Sequence, residues 1–234
     1  MIKKNDSLKA VPAEHRVECY ACRRPKTNCL CGSAKPFATR TRFVILMHAK
    51  EAKKQRTGTA RLARMCLANA ELIIGTDFTQ NERVNSLIND PAYSPFVLYP
   101  GPEAENFKTL GADRLPEWKT PLVFVIDGTW RGAGRVLSKS RNVRALPRLS
   151  FSGSYISQYK IKKQPMEHCV STIEAVYYLC KEAEEAGYES LGAQKEILLG
   201  IFKELVDAQL GYQKGKRRRR EENAPELRNF PELL

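Results

Sequence analysis

Residues 121–130 read Pro-Leu-Val-Phe-Val-Ile-Asp-Gly-Thr-Trp. A short apolar run that ends at turn-forming residues predicts a strand buried in a sheet, here over residues 121–126. Asp127 follows the run directly, so its carboxylate is expected at the carboxyl end of that strand. Open parallel sheets bind their ligands at this edge, which makes residues 127–130 the first candidate for a functional loop.

Further apolar runs of the same character lie on both sides of this stretch. They predict strands at residues 42–47, 71–74, 96–99 and 142–146. Helical patterns lie between and after them, at residues 55–70, 81–88, 132–140, 166–187 and 191–210. Short apolar strands that alternate with helices predict an α/β fold, with a mostly parallel sheet flanked by helices and a helical C-terminal part. Ser171 and Glu174 have the spacing of a capping box, which predicts a helix start near residue 172.

The loop after the central strand allows two interpretations. A carboxylate beside an apolar strand is partly desolvated and suits a proton acceptor, while Thr129 offers a hydroxyl and Trp130 a stacking face. The alternative is that Asp127 or Thr129 caps the next helix and that Trp130 belongs to the core. Other predicted strand ends also carry polar or turn-forming residues, among them His48, Tyr99-Pro100-Gly101 and Leu146-Pro147.

The composition excludes several classes of protein. Of the 234 residues, 42% are hydrophobic, which is enough for a core and too many for a disordered chain. The sequence has no stretch of about 18 uncharged apolar residues, which a membrane-spanning helix requires. No apolar segment follows the first residues, so we do not expect a secretory signal. We expect a cytoplasmic location instead.

The formal net charge of +13 is unevenly distributed. Residues 1–60 carry a net charge of +10 and residues 214–220 carry +6, whereas residues 61–213 are neutral in sum. Within that neutral part, residues 131–163 contain nine basic side chains and no acidic one. A basic face on a folded domain predicts a nucleic-acid or polyphosphate partner. The alternative is solubility charge together with a flexible basic tail.

Four of the seven cysteines are clustered near the N-terminus. They are Cys19, Cys22, Cys29 and Cys31. Two closely spaced thiolate pairs can complete a tetrahedron around one ion, which favours a structural Zn2+ site. Disulfides are an alternative in an oxidising compartment, and an iron–sulfur cluster is another, although such clusters usually have different spacings. A zinc knuckle here would present Arg23, Arg24 and Lys26 as a rigid basic tip.

Taken in order along the chain, these motifs resemble the DTW-domain family. The resemblance is carried by the cysteine cluster with its embedded Arg-Arg-Pro, by residues 43–51, and by Tyr99-Pro100-Gly101, Asp127-Gly-Thr-Trp130 and Ser171-Thr-Ile-Glu-Ala175. It covers residues 17–210 and therefore nearly all of the predicted folded region. Ala49 follows His48 where the family often has proline, so no role is carried over to His48.

The resemblance implies both a fold and a reaction. The family is one of tRNA-uridine aminocarboxypropyltransferases, distantly similar to the SPOUT methyltransferases, whose α/β fold is knotted. It implies that S-adenosylmethionine donates its 3-amino-3-carboxypropyl group to N3 of a tRNA uridine and that 5′-methylthioadenosine leaves. A SPOUT-like sheet, a structural Zn2+ ion and a tRNA partner are expected accordingly.

The resemblance also implies roles for individual residues. Asp127 would act as a base or orient the uridine, with Thr129 and Trp130 shaping the same loop. The donor would be bound by Tyr99, Pro100, Gly101, Leu146, Pro147, Ser171, Thr172 and Glu174. The tRNA phosphates would be bound by Arg23, Arg24, Arg131, Arg135 and Arg144. Two rival functions remain at this point: an RNA methyltransferase that uses the same donor, and a zinc-containing RNA-binding protein without catalysis.

The chain divides into four parts. We expect a flexible N-terminus over residues 1–16, a zinc knuckle over 17–40, the α/β catalytic domain over 41–210 and a basic, disordered tail over 211–234. No membrane partner is expected. The oligomeric state is open, with a monomer favoured.

Overall fold

The computed structural model describes residues 17–54, 58–111, 113–159 and 169–222, with only the backbone for Lys54 and residues 216–222. Its centre is a sheet of five parallel strands in the order β2-β1-β4-β3-β5. The strands are β1 (Arg42–His48), β2 (Glu71–Gly75), β3 (Tyr93–Leu98), β4 (Thr120–Asp127) and β5 (Arg148–Leu149). The predicted α/β fold with a parallel sheet is confirmed. The expectations for residues 1–16 and 223–234 lie outside the described residues.

Strand β4 lies between β1 and β3 and is buried on both faces. Its side chains alternate between two apolar clusters, with Leu122 and Phe124 on one face of the sheet and Val123 and Val125 on the other. Burial on both faces explains why residues 121–126 read as an unbroken apolar run. Because side chains alternate along a strand, the side chain of Asp127 leaves β4 on the Val123 face.

Helices cover both faces of this sheet. The Leu122 face is covered by α3 (Glu82–Ile88), α4 (Trp130–Lys139) and α5 (Arg141–Arg144). The Val123 face is covered by α2 (Ala60–Cys66), α6 (Thr172–Glu185) and α7 (Glu196–Glu222), and a short helix α1 (Ala49–Lys54) follows β1. The predicted helices at 81–88 and 132–140 are confirmed as α3 and α4. Within the described ranges, no helix is both long and apolar enough to cross a membrane.

The prediction of a strand over residues 142–146 is wrong. Most of this segment belongs to α5 and to the turn after it. The side-chain amide of Asn142 donates to the carbonyl oxygen of Phe78 over 2.8 Å and to Oδ1 of Asn85 over 2.7 Å. These contacts with α3 and the loop before it stabilise a helical turn, which the local apolar pattern could not reveal.

The fifth strand instead lies at Arg148–Leu149, where it pairs with the end of β3. The backbone N–H of Val97 in β3 donates to the carbonyl oxygen of Pro147 over 3.0 Å. Leu146 and Pro147 therefore precede the fifth strand, whereas the sequence predicts that they follow it. This difference moves both residues away from the carboxyl end of their strand.

The C-terminal part is helical, as predicted. Ser171 is the N-cap of α6, and Glu174 completes the predicted capping box. Gly187 follows α6 with a φ of +80°, a conformation that favours glycine at the end of a helix. Helix α7 extends through residues 211–222, a segment for which the composition predicts disorder.

Helix α7 runs back along α6 in the antiparallel sense. Just before α7 starts, Lys195 Nζ donates to Glu184 Oε2 near the end of α6 over 2.6 Å. Further along, Phe202 packs on Tyr159, with ring centroids 5.4 Å apart, and Tyr159 belongs to a segment hydrogen-bonded to the first turn of α6. The remainder of α7, including residues 214–220, therefore extends past the beginning of α6.

We expect acid to weaken the link between α6 and α7. Glu184 accepts hydrogen bonds from Lys195 Nζ and from the N–H groups of Gly192 and Leu191, and these lower its pKa from the usual 4.5 to about 2. A depressed pKa stabilises the fold above about pH 4.5, and this stabilisation is lost as the pH falls towards 2. Urea unfolding at pH 7 and pH 3 should therefore show a smaller pH dependence for Glu184→Gln than for the wild type. Glu117→Gln, at an exposed carboxylate before β4, is the matched control. If Glu184→Gln had the same pH dependence as the wild type, the lowered pKa of Glu184 would not be the source of this stabilisation.

Candidate active site at the carboxyl edge of the sheet

Asp127 is the last residue of the central strand β4 and is only 4% exposed. Its side chain meets the beginning of α6, where Thr172 Oγ1 donates to Asp127 Oδ1 over 2.6 Å. Helix α6 thus begins beside the carboxyl end of β4. A buried carboxylate with a hydroxyl donor is held in one orientation at the edge where parallel sheets bind ligands.

The loop after Asp127 leads directly into α4. Thr129 is the N-cap of that helix, since its Oγ1 accepts the N–H of Gly132 over 3.1 Å. Trp130 is the first residue of α4 and is 37% exposed, so it is not a core side chain. The capping interpretation therefore holds for Thr129, and the indole of Trp130 remains accessible to a ligand.

Trp130, Tyr99 and Arg148 line the surface beside this loop. The rings of Trp130 and Tyr99 have centroids 6.4 Å apart at 58°, and the Arg148 guanidinium lies 5.7 Å from the centroid of Tyr99. Gly101 permits this approach, because a Cβ there would lie 2.5 Å from Nη1 of Arg148. Sequence reasoning misses Arg148, because it places the fifth strand before this residue.

A cleft of about 790 Å³, here called the edge cleft, extends from Arg148 along the outer edge of the sheet. Its lining comprises Pro102, Glu103, Glu105, Arg114, Arg144, Ala145, Leu146, Pro147 and Arg148. Three of these, Arg144, Leu146 and Pro147, are among the predicted site residues. The cleft is an open groove, and five of its nine lining residues are charged.

Glu174 has a structural task in this arrangement. It is fully buried and accepts hydrogen bonds from N and Oγ of Ser171, over 2.8 and 2.6 Å. It also accepts from Ser157 Oγ over 2.8 Å and from Gln158 N over 2.7 Å. These bonds hold the start of α6 in place, so we expect Glu174 to position the site and not to touch a ligand.

The four clustered cysteines form a compact group. The sulfur atoms of Cys19 and Cys31 lie 3.5 Å apart, those of Cys22 and Cys29 lie 3.8 Å apart, and all four lie within 4.8 Å of one another. Four thiolates at 2.3 Å from a tetrahedral Zn2+ would be separated by about 3.8 Å. A disulfide requires about 2.05 Å. The cluster therefore fits a metal ion and excludes disulfides between these pairs.

The thiols of the cluster differ in acidity. The N–H groups of Cys22 and Ala21 and the thiol of Cys31 lower the pKa of Cys19 to about 6. Burial raises the pKa of Cys22 and of Cys31. Metal ligation requires thiolates, so a divalent cation between these sulfur atoms would offset the cost of burying their charge.

Residues 16–210 match the family model of the DTW domain. The chain belongs to the DTW-domain family. It is 31% identical over 175 residues to tRNA-uridine aminocarboxypropyltransferase 2 of Mus musculus and 30% identical over 184 residues to the protein of the same name in Macaca fascicularis. These alignments cover 72% and 77% of this chain but 58% and 61% of the relatives, so the chain spans about three fifths of their length.

The DTW domain is also similar to a plant protein. The chain is 26% identical over 227 residues to tRNA-uridine aminocarboxypropyltransferase A of Arabidopsis thaliana. This alignment covers 86% of the chain and 84% of the plant protein. No solved structure matches the chain.

The cysteine knuckle, residues 17–40, shares its core with the rest of the DTW domain. Cys22, Leu30 and Phe37 are buried and belong to the apolar cluster on the Val123 face of the sheet. Ser33 Oγ donates to Glu204 Oε2 of α7 over 2.5 Å. The knuckle is therefore packed onto the α/β part and has no separate apolar core among the described residues.

Four of the five arginines predicted to bind phosphates lie on the surface of the DTW domain. Arg23 is exposed in the knuckle, and Arg144 is exposed beside the edge cleft. Arg131 and Arg135 are exposed on α4 and lie one turn apart, so they share a helix face. This face begins immediately after the loop that follows Asp127.

Arg24 is a correction to the predicted basic tip, because it is only 3% exposed. Its Nε donates to the carbonyl oxygen of Asn28 over 2.8 Å. Burial lowers the pKa of Arg24, and the negative charge of the Cys22 thiolate acts in the opposite direction. Arg24 therefore offsets thiolate charge inside the knuckle, and it does not reach the surface where phosphates would bind.

Proposed function

We propose that this DTW-family chain transfers the 3-amino-3-carboxypropyl group of S-adenosylmethionine to N3 of a uridine in tRNA. The observation that carries the proposal is the buried Asp127 carboxylate, held by Thr172 at the carboxyl edge beside the accessible Trp130. The names of the relatives, tRNA-uridine aminocarboxypropyltransferase 2 and A, support the same reaction class.

The residues at this edge suit the reaction. N3 of the uridine forms a bond to the γ-carbon of the donor's amino-acid arm and loses its proton. The bond from that carbon to the sulfonium sulfur breaks, its electrons neutralise the sulfur, and 5′-methylthioadenosine leaves. Asp127 accepts the N3 proton or orients N3 through a hydrogen bond, and Thr172 holds the carboxylate. Trp130 offers a stacking face for a uracil turned out of the tRNA.

We place the adenosine of the donor between Tyr99-Pro100-Gly101 and the edge cleft. The Tyr99 ring and the Arg148 guanidinium connect the cleft with Trp130, so one ligand can extend from the cleft towards Asp127. Leu146 and Pro147 contribute one wall of this cleft. The carboxylate of the amino-acid arm would lie at the N-terminus of α6 near Ser171, where N–H groups favour an anion.

The cysteine cluster is proposed to hold a structural Zn2+ ion. Four thiolates would fill the tetrahedral positions and leave none open for a substrate. The ion would therefore stabilise the knuckle and take no part in the transfer.

We propose that the tRNA crosses the carboxyl edge. Arg131 and Arg135 are exposed beside the active-site loop, and residues 214–220 of α7 extend past the beginning of α6 at the same edge. A tRNA substrate agrees with a cytoplasmic location.

A SPOUT-like knot is proposed for the return of the chain from β5. The chain leaves β5 at one margin of the sheet and comes back to the central strand, where Thr172 meets Asp127. A knotted path would require this return to pass through the connection between β3 and β4. An experimental structure that traces residues 160–168 tests whether the chain passes through that connection or around it.

The reaction is tested by incubating the full chain with unmodified tRNA and labelled S-adenosylmethionine. We expect tRNA to retain label from the carboxyl-labelled donor and none from the methyl-labelled donor. Retention of the methyl label alone would identify an RNA methyltransferase. Failure to transfer either label would contradict an enzymatic role.

We expect the basic end of α7 to contribute affinity for tRNA without contributing to chemistry. Replacing the four arginines at residues 217–220 by glutamine should weaken tRNA binding at low salt. It should also flatten the dependence of log K on log salt by about 0.7–0.9 for each phosphate that the helix no longer neutralises. The transfer rate at saturating tRNA should be unchanged. Lys108→Gln is the control, because Lys108 pairs with Glu185 at the far end of α6. If the transfer rate falls at saturating tRNA, the basic end of α7 contributes to the reaction and not only to affinity.

A further inference from the structure

We propose that the cysteine knuckle is a second RNA contact, in which Tyr20 stacks on an unpaired base of the tRNA. The identity of the RNA rests on the proposed function, whereas the contact itself rests on the surface of the knuckle. Tyr20 is 90% exposed, more than any other large apolar side chain in the described ranges. An aromatic ring held this far into solvent stabilises no part of the core and is accessible on both faces.

The backbone around Tyr20 is tightly organised. Cys19 N donates to the carbonyl oxygen of Arg24 over 2.7 Å, and Arg23 N donates to that of Cys19 over 2.8 Å. Arg23 has a φ of +58°, a left-handed conformation that persists only where the surroundings impose it. A metal ion between Cys19 and Cys22 would fix the same turn from inside. Tyr20 is thus presented in advance, so that binding orders little of the protein.

Exposed cations accompany the ring. Arg23 is exposed next to the turn that carries Tyr20, and Lys26 is exposed at the start of the 3-10 helix that follows. Their flexible side chains would contact phosphates near a stacked base. Four thiolates around one Zn2+ ion would carry excess negative charge, which the buried Arg24 would partly offset. An accessible aromatic ring beside flexible cations is the arrangement by which proteins bind single-stranded RNA. This chemistry favours RNA over a purely apolar protein partner.

The position of the knuckle agrees with a single RNA that contacts both Tyr20 and the site at Asp127. Ser33 holds the knuckle against Glu204 of α7, and Cys22 and Leu30 belong to the same apolar cluster as Tyr159. Both contacts are on the Val123 face of the sheet, to which the Asp127 side chain also points. The knuckle and the Asp127 side chain therefore lie on the same face of the sheet, as one RNA that contacts both would require.

The decisive measurement is tRNA affinity at constant salt. Loss of one base–aromatic stack should weaken binding of Tyr20→Ala by about 5- to 140-fold, while Tyr20→Phe and Tyr20→Trp bind like the wild type. The metal content of each variant must equal that of the wild type. Trp118→Ala is the matched control, because Trp118 is 73% exposed but precedes β4 at the opposite end of the sheet. Its affinity should be unchanged.

The RNA itself supplies a second control. A fully paired duplex offers no unpaired base, so Tyr20→Ala and the wild type should bind it equally. The slope of log K against log salt should also be equal, because no charge is removed. Wild-type affinity of Tyr20→Ala for tRNA, or an equal loss on the duplex, would overturn the proposal.

The outcomes separate this inference from the proposed function. Transfer of the labelled group by the wild type, together with unchanged affinity in Tyr20→Ala, would overturn the stacking contact alone. Absence of transfer by the wild type, together with weakened affinity in Tyr20→Ala, would overturn the reaction and leave the RNA contact standing.

Discussion

Asp127→Asn is expected to reduce aminocarboxypropyl transfer by about 10²- to 10⁴-fold, the usual contribution of a positioned proton acceptor. Asparagine has nearly the same volume, and its amide oxygen can still accept the hydroxyl of Thr172. The buried site should therefore keep its shape while losing the group that takes or orients the N3 proton. Transfer is measured with carboxyl-labelled donor under single-turnover conditions, and tRNA affinity is measured in parallel. The affinity should be unchanged.

Thr172→Val is the matched control for this variant. It removes the hydroxyl that orients Asp127 but leaves the carboxylate in place. Loss of one hydrogen bond to a charged group costs about 1.5–3 kcal/mol, so transfer should fall by no more than roughly 10- to 150-fold. Transfer by Asp127→Asn at the wild-type rate would show that the carboxylate is not required for the reaction and would overturn the role proposed for Asp127.

Replacing Cys19 and Cys22 together by serine is expected to remove the bound metal and unfold the knuckle. The wild type should contain about one Zn2+ per chain and the double variant none. Structural Zn2+ contributes about 10–16 kcal/mol to the folding of small zinc-binding peptides, so local folding should not survive its loss. Metal analysis gives the stoichiometry, and amide hydrogen exchange should show loss of protection over residues 17–37, with the central strands still protected.

Cys66→Ser is the control for the metal prediction. Cys66 is fully buried in α2, and burial raises its pKa to about 11, so it is a neutral thiol away from the cluster. This variant is expected to be less stable than the wild type and to retain its metal. One equivalent of metal in the Cys19 and Cys22 double variant would contradict the assignment of the ligands.

Local patterns were sufficient for much of the fold. The central strand, the helix after Thr129 and the capping box at Ser171 each carry a signal in residues close in sequence, so that apolar runs and side-chain spacing reveal them. The same holds for the cysteine cluster, because thiolate ligands at short spacings converge on one point. Asp127 was identified for a similar reason: it follows the apolar run of its strand directly.

Long-range contacts decided the parts that sequence reasoning missed. Asn142 bonds to Phe78 and Asn85, which turns a predicted strand into a helix and moves the fifth strand to Arg148–Leu149. No local pattern shows these partners, since they are separated from residue 142 by more than fifty positions. The role of Arg148 beside Tyr99 follows from the same shift.

By itself, the sequence determined a parallel α/β sheet, a four-cysteine cluster and a carboxylate at the end of the central strand. The tertiary structure decided what surrounds them. It buries Arg24 close to Cys22, whose thiolate charge would offset the charge of the guanidinium. It also brings Thr172, which follows the outermost strand β5 in the chain, next to Asp127 at the end of the central strand β4. The burial of a side chain and its hydrogen-bond partners depend on packing between segments that are distant in sequence. The local spacing of residues therefore does not predict them.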